Sequence, residues 1–411
     1  MKEVQIVEER ALTGIKVIEL ATFVAAPCAT RFFADQGADV IKIEAPSGDN
    51  LRYGAASEGR PDDPEENIVF DIENGNKRDL GLNLKKKDAY EALMKLLEEA
   101  DIFITNWRPQ ALKKLNLDYE SLKERFPKLV YGCITGYGDK GPDKDLPGYD
   151  ATAFFARGGM LGTLYEKGTV PMNVIPGVGD RQAGISLAAG VLAALYKAKS
   201  TGKGEKVSVS LLATSIFMQA TMIQSSQYGQ LHYPIKKEET LNPLMTCYKT
   251  KDERFIQLAL PVYDIFLKPF AKAMSHEEWI TDERFCNAQV LHNGNIAFLY
   301  REISDCFSKL TVKEVSEILT KADLPFALAQ LWDEVLEDPQ AWATDCFCKL
   351  DYHTGSRTMV RNPVRFEEAG LPPYNKAPKI GQHTKEILKE IGYSDEKIEQ
   401  MISDKEIVCA E

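Results

Sequence analysis

Along the N-terminal half of the chain, short apolar runs alternate with longer segments whose apolar positions recur every three to four residues. Lys16-Val-Ile-Glu-Leu-Ala21, Asp39-Val-Ile-Lys-Ile-Glu44, Asp101-Ile-Phe-Ile-Thr105 and Leu129-Val-Tyr-Gly-Cys-Ile-Thr135 have the continuous apolar character of strands buried on both faces. Between them, Pro27 to Gln36 reads as a helix stopped by Gly37. Lys85 to Ala100 reads as a second helix, with Ala89, Leu93, Leu96 and Leu97 on one stripe, and Leu117 to Phe126 as a third. Repeated strand–helix alternation predicts an α/β fold with a parallel, Rossmann-like sheet. The loop after the first strand, Thr22-Phe-Val-Ala-Ala26, has no G-x-G-x-x-G, which argues against a dinucleotide held in the usual way. Ligands of such sheets still collect at the carboxyl ends of the strands, where Asn106-Trp-Arg-Pro109 and the glycine loop Gly136 to Pro142 stand.

The pattern changes after the alternating strand Lys206 to Leu211 and the helix Leu212 to Gln224. Tyr228 to Asn242 is polar and turn-rich, as in a linker. Cys247 to Thr250 and Phe255 to Leu260 read as a hairpin, and helices are expected near 263–274, 295–308 and 312–321. Strands at Phe326 to Ala329 and Asn362 to Phe366 and a helix from Thr384 to Met401 then restore the first pattern. The expected organisation is a large domain made of both chain ends, 1–225 and 325–411, with a small α+β domain at 226–324 between them.

Pro176-Gly-Val-Gly-Asp-Arg-Gln-Ala-Gly184 leads into a helix of small residues, Ile185 to Leu195, and places Asp180 at its mouth. Residue preference makes Asp180 a helix N-cap, accepting backbone N–H bonds. Chemistry allows a second role, a carboxylate nucleophile with glycines around it leaving room for a bulky acyl group and its oxyanion. Local sequence leaves both open.

Composition narrows the partners. The 411 residues are 44% hydrophobic and 27% charged, which is globular, and the length favours two domains. With 61 acidic against 50 basic side chains, the formal charge of −11 argues against nucleic acid or an anionic membrane as a partner. Met1 to Arg10 has no signal-peptide core, no long apolar run occurs, and the eight cysteines are scattered, so a cytoplasmic protein with reduced thiols is expected. No His/Cys/Asp group has ligand spacing, so no metal is expected.

Seven stretches in order resemble the class III coenzyme A transferases, the family of formyl-CoA and carnitine-CoA transferases: Gly14–Glu19, Gly37–Pro46, Asn76-Lys-Arg78, Gly136-Tyr-Gly138 with Gly141-Pro142, Gly179-Asp180, Asp338-Pro339, and Gly381-Gln-His-Thr384 with Ile391-Gly-Tyr393. Ala21–Pro27, Ser57–Pro61 and Leu164–Pro171 look most like the branch acting on (R)-2-hydroxy acids such as 2-hydroxyisocaproate and phenyllactate. The resemblance implies that Asp180 is the nucleophile, acylated to an anhydride and then converted to aspartyl-CoA, with Gly179, Gln182 and Tyr149 forming the oxyanion and substrate loop. It implies that CoA, a substrate rather than a permanent cofactor, lies against Val24, Ala25, Asn106, Lys114, Tyr137 and Lys140. Lys140 and its neighbour Lys144 read equally well as solvated lysines on a turn. The resemblance further implies a small carboxylic acid as the second substrate and an interlocked homodimer. Leu241 to Thr246 stands where formyl-CoA transferase has a run of glycines, so a different lid is expected. An acyl-CoA racemase of the same superfold would need a His where Tyr149 stands in Gly148-Tyr149-Asp150. A catalytically idle CoA-binding subunit would have lost the acid at 180.

Overall fold

The computed structural model of the chain describes residues 10–55, 59–229 and 233–410. Met1 to Glu9, Ser57 and Glu58 of one motif, and His232 lie outside the described residues. The chain divides into two compact units, one built from the residues up to Leu161 with Asn173–Gln224 and Gln340 onward, the other from Gly162–Met172 and Ser225–Pro339.

The first unit is a mixed α/β layer structure around one sheet. Its strands are β1 (Lys16–Leu20), β2 (Asp39–Glu44), β3 (Arg78–Leu82), β4 (Ile102–Thr105), β5 (Val130–Thr135) and β6 (Lys206–Ser210). Its helices up to β6 are α1 (Ala25–Asp35), α2 (Ile68–Asn74), α3 (Lys87–Glu99), α4 (Pro109–Lys114), α5 (Tyr119–Leu122), α6 (Met160–Thr163, which runs across the unit boundary) and α7 (Val178–Thr201). The six strands are parallel in the order β3-β2-β1-β4-β5-β6, and a terminal pair, Ile407–Val408, adds antiparallel to β3. Both faces are covered, which is why β1, β2, β4 and β5 are largely apolar. Ala29, Phe33, Leu187 and Val191 of α1 and α7 pack one face, while Ala89, Leu93, Ile387 and Met401 belong to the core on the other. Each such side chain, fully withdrawn from water, contributes roughly 1.5–3 kcal/mol if it is as large as Leu. Helices α1 and α7 cross closely because Gly184 has no side chain: a Cβ there would stand 2.6 Å from the Ala25 carbonyl oxygen.

Two strands carry charge into this core. Glu19 of β1 lies opposite Lys42 of β2, and both are inaccessible to solvent. Lys42 Nζ donates to Glu19 Oε1 at 2.8 Å, to the Ala21 carbonyl at 3.0 Å and to Asp49 Oδ2 at 3.1 Å. Lys77 Nζ reaches the other Glu19 oxygen at 2.8 Å. Burial pushes the Glu19 carboxyl up, and Lys42 and Lys77 overcome it, holding the group down at about 2. Breaking one partner of such a set leaves an uncompensated buried charge, which costs about 3–5 kcal/mol.

The helix from Leu212 divides at Gln219 into α8 (Leu211–Met218) and α9 (Ala220–Ser225). In the second unit, β7 (Cys247–Lys249) and β8 (Phe255–Leu258) form the expected hairpin, and helices run at Tyr263–Ala273, Ile296–Ser308 and Val312–Lys321. The strand at 326–328, expected to return to the large domain, is instead β9 (Phe326–Leu328), paired to β8 with Phe326 opposite Leu258 and Leu328 opposite Ile256. Its apolar side chains complete a three-stranded sheet over the helices of this unit. No strand forms at 362–366, where Pro363 has no N–H to give. A hairpin, β10 (Phe347–Tyr352) and β11 (Gly355–Val360), lies just before it, hidden in the sequence by its polar Lys349, Asp351 and Arg357. The expected helix at 117–126 is the single turn α5. The tail is two helices, Thr384–Glu390 and Asp395–Ser403, parted by Gly392 in the left-handed region at φ 87°. Among the described residues no helix is long and apolar enough to cross a membrane.

Candidate active site

Helix α7 begins earlier than its apolar stripe indicates, and this changes the place of Asp180. Gly177, at φ 79°, is the N-cap, and it provides no side-chain cap bond. Asp180 is the third residue of the helix, in its first turn, so it is not the cap. The capping carboxylate comes from elsewhere in the sequence: Asp150 Oδ2 accepts the Gly177 N–H at 2.7 Å. Asp150 opens a π-helical turn (Asp150–Ala156) in which the Arg157 N–H reaches the Thr152 carbonyl at 2.9 Å. Such turns recur at functional sites. Gly179 lets the two segments meet, since a Cβ there would stand 2.2 Å from the Phe154 ring and 2.4 Å from Asp150 Oδ1.

The first turn of a helix normally favours a carboxylate. Here burial pushes the Asp180 carboxyl up to about 7, reinforced by the negative charges of Asp150 and Glu73 and opposed by Arg181. Arg181 is turned aside, with Nη2 2.6 Å from Oε1 of the buried Glu73. Burial also raises the Glu73 carboxyl, which Arg181 pulls back. Cys28, beneath the same turn, is pushed up to about 12 by burial, with Glu73 adding to the shift, and stays a thiol.

Asp180 opens into a cleft of about 340 Å³ at the carboxyl ends of β1, β4 and β5, where parallel sheets bind ligands. Its lining includes Phe23, Ala25, Asn106, Arg108, Lys144 and Tyr149. Lys144 is paired with Asp145 at 2.6 Å, whereas Arg108 makes no ion pair among the described residues. The arrangement offers one carboxylate near neutrality, apolar and aromatic walls, and two cations for an anionic ligand.

Of the residues expected from sequence, Asp180, Tyr149, Ala25 and Asn106 come together in this cleft. Asn106 is already engaged, its Nδ2 donating to the Thr22 carbonyl at 2.7 Å and its Oδ1 accepting the Thr22 N–H at 3.0 Å. Gly179 is buried, directly before Asp180 in the first turn of α7. Val24 caps α1, and Gln182 is half-buried with an unpartnered Oε1. None of the three lines the cleft. Nor do Lys114, exposed at the end of α4, Lys140, exposed on its turn, or Tyr137, covered by Arg157 at 4.9 Å. Arg108 and Trp107 were legible only as part of the stretch at the end of β4. Asp150, Glu73 and Arg181 gave no sequence signal as a set, because helix α2 and the π turn bring them in from distant positions. Asp63 and Glu66 and the distant His353 bring ligand atoms within 4.8 Å of one another, but His353 pairs with Asp63 at 3.1 Å and Arg357 with Glu66 at 2.7 Å.

Cinnamoyl-CoA:phenyllactate CoA-transferase of Clostridium sporogenes is 54% identical over 399 residues, covering 96% of this chain and 97% of the relative. (R)-2-hydroxy-4-methylpentanoate CoA-transferase of Clostridioides difficile is 46% identical over 388 residues, covering 94% and 97%. The crystal structure of a CaiB/BaiF family protein from Brucella suis superposes with a TM-score of 0.76 at 27% identity, covering 93% of this chain and all of that one. Residues 12–384 match the model of CoA-transferase family III, and the chain belongs to that family.

Proposed function

We propose that this transferase moves CoA from an acyl-CoA, of the enoyl type, to an (R)-2-hydroxy acid, with Asp180 as the covalent carrier. The observation that carries the reading is that Asp180 is the cleft carboxylate without a hydrogen bond or ion pair among the described residues, Asp145 being held by Lys144. An Asp180 oxygen attacks the thioester carbonyl, the C–S bond breaks, and CoA thiolate leaves behind a mixed anhydride. The thiolate then attacks the Asp180 carbonyl carbon, the donor acid departs as its carboxylate, and aspartyl-CoA remains. The acceptor carboxylate attacks this thioester to give a second anhydride, and the thiolate takes the acceptor's acyl group, restoring the Asp180 carboxylate. Each bond formed replaces one of similar activation, so neither ATP nor metal enters the balance. In this reading Tyr149 lines the substrate side, and Arg108 and Lys144 meet the phosphates of CoA. A cytoplasmic setting fits the eight free thiols.

Asp180→Asn should fold and bind CoA while transfer falls by several orders of magnitude, because an amide cannot take the acyl group. Borohydride or hydroxylamine added with acyl-CoA should modify Asp180 in the wild type. An adduct on Asp150 or Glu166 instead would overturn the assignment.

The same reading makes the second unit a small inserted domain and the active species an interlocked homodimer. Supporting a partner copy, Ile216, Phe217 and Met218 of α8 expose apolar side chains, Phe217 to 75%. Analytical ultracentrifugation should show a dimer that persists on dilution; a reversible monomer–dimer equilibrium would contradict the interlocked form.

A further inference from the structure

Phe23 is a bulky residue with φ 62°, a conformation that crowds its Cβ and that side chains other than Asn, Asp and Gly seldom adopt. The surrounding structure over-determines it. Its N–H is accepted by Asp49 Oδ1 at 3.0 Å, and Asp49 is held in turn by the buried Lys42 amine. The preceding residue, Thr22, is clamped on both sides by Asn106. The result is a ring left 36% exposed in the Asp180 cleft. Strain maintained by so many contacts is characteristic of a residue presented to a ligand.

The ring lines the same cleft as Asp180. It meets Tyr149 edge to face, with centroids 6.1 Å apart and planes at 86°. Tyr149 directly precedes Asp150, which caps the helix of Asp180, and Val24, the residue after Phe23, places its Cγ1 3.6 Å from where a Cβ on Gly177 would stand.

We propose that Phe23 is a specificity-determining residue whose ring, set against Tyr149, contacts the side chain of the acyl group and favours an aromatic one over a linear aliphatic one. The inference rests on the transfer reading above and adds the residue that chooses the substrate. An aryl group gains an edge or offset-stacked contact with the Phe23 ring in addition to burial, which a linear chain does not.

The test compares a 3-arylpropenoyl-CoA with a linear butenoyl-CoA as donors to one acceptor acid, using wild type, Phe23→Leu and Phe23→Gly. Gly adopts φ 62° without strain, so this variant should melt no lower than wild type and report on the ring alone. Phe23→Gly should lower the aryl-to-linear ratio of kcat/KM by about three- to tenfold, with Leu intermediate. Equal loss for both donors, with equally weakened inhibition by free CoA, would mean that the ring meets the adenine and would overturn the proposal. An unchanged ratio would also overturn it. A wild type that transferred neither donor would overturn the transfer reading as well, whereas the other two failures concern Phe23 alone.

Discussion

Arg181 follows Asp180 in the chain but gives its charge to Glu73, 2.6 Å away, and so leaves the neighbouring carboxylate exposed to two negative groups. In the proposed reaction the ionised carboxylate makes the attack, so kcat/KM should rise with pH through a midpoint near 7. Glu73→Gln removes one repelling charge and releases Arg181, and both effects favour ionisation. The midpoint should fall by about one unit. A pH profile that is the same in wild type and variant would show that the pair does not act on Asp180.

The same carboxylate should cost stability when it is charged. Its folded pKa of about 7 lies above the unfolded value of 3.8, so the folded state keeps a proton that the unfolded state releases between these values. Stability therefore falls as pH rises through that window, and the loss is complete above about pH 7. Asp180→Asn should be more stable than wild type at pH 8, on the order of 1–3 kcal/mol, with the difference gone near pH 4. A helix cap would behave oppositely, its loss costing about 1 kcal/mol. Denaturant midpoints at the two pH values decide between them.

Arg108 and Lys144 are the cations lining the cleft, and charge-assisted bonds to phosphate are each worth about 1.5–3 kcal/mol. Arg108→Ala should raise the KM for acyl-CoA about tenfold, and Lys144→Ala less, since Asp145 already offsets its charge. Lys114→Ala and Lys140→Ala should change it by no more than about twofold, because neither side chain lines the cleft. Initial-rate kinetics at fixed acceptor measure all four.

What the sequence made legible was local. Strands buried on both faces announce themselves as apolar runs, and β1, β2, β4, β5 and β6 all fall where the pattern puts them. β3 did not, because Arg78 and Asp79 interrupt a run of only five residues, and its place in the sheet depends on pairing with β2. Asp180 was visible as an acid among glycines, yet its position inside the first turn was not. The carboxylate that caps the helix, Asp150, lies 27 residues before Gly177, whose N–H it accepts. Likewise Asn106 was recognisable as standing at a strand's end, but its two bonds to Thr22, 84 residues earlier, exist only once β1 and β4 lie side by side.

Those two bonds yield a prediction that separates holding the loop from touching the ligand. If Asn106 served mainly as a CoA contact, Asn106→Ala would raise KM and leave stability unchanged. As a clamp, it gives up an acceptor and a donor to the Thr22 backbone, each bond worth about 1 kcal/mol, so Asn106→Ala should lose roughly 1–3 kcal/mol in chemical unfolding. Asn106→Asp is the sharper probe. It keeps the acceptor for the Thr22 N–H but turns a carboxylate oxygen toward the Thr22 carbonyl, 2.7 Å from the present nitrogen, so the repulsion should displace the loop that carries Phe23. The expected outcome is a stability loss at least as large as that of Ala, together with a fall in kcat/KM that is greatest at high pH, where the new acid is ionised. Full stability in both variants, with only KM altered, would make Asn106 a ligand contact and leave the Thr22 loop held by Asp49 alone.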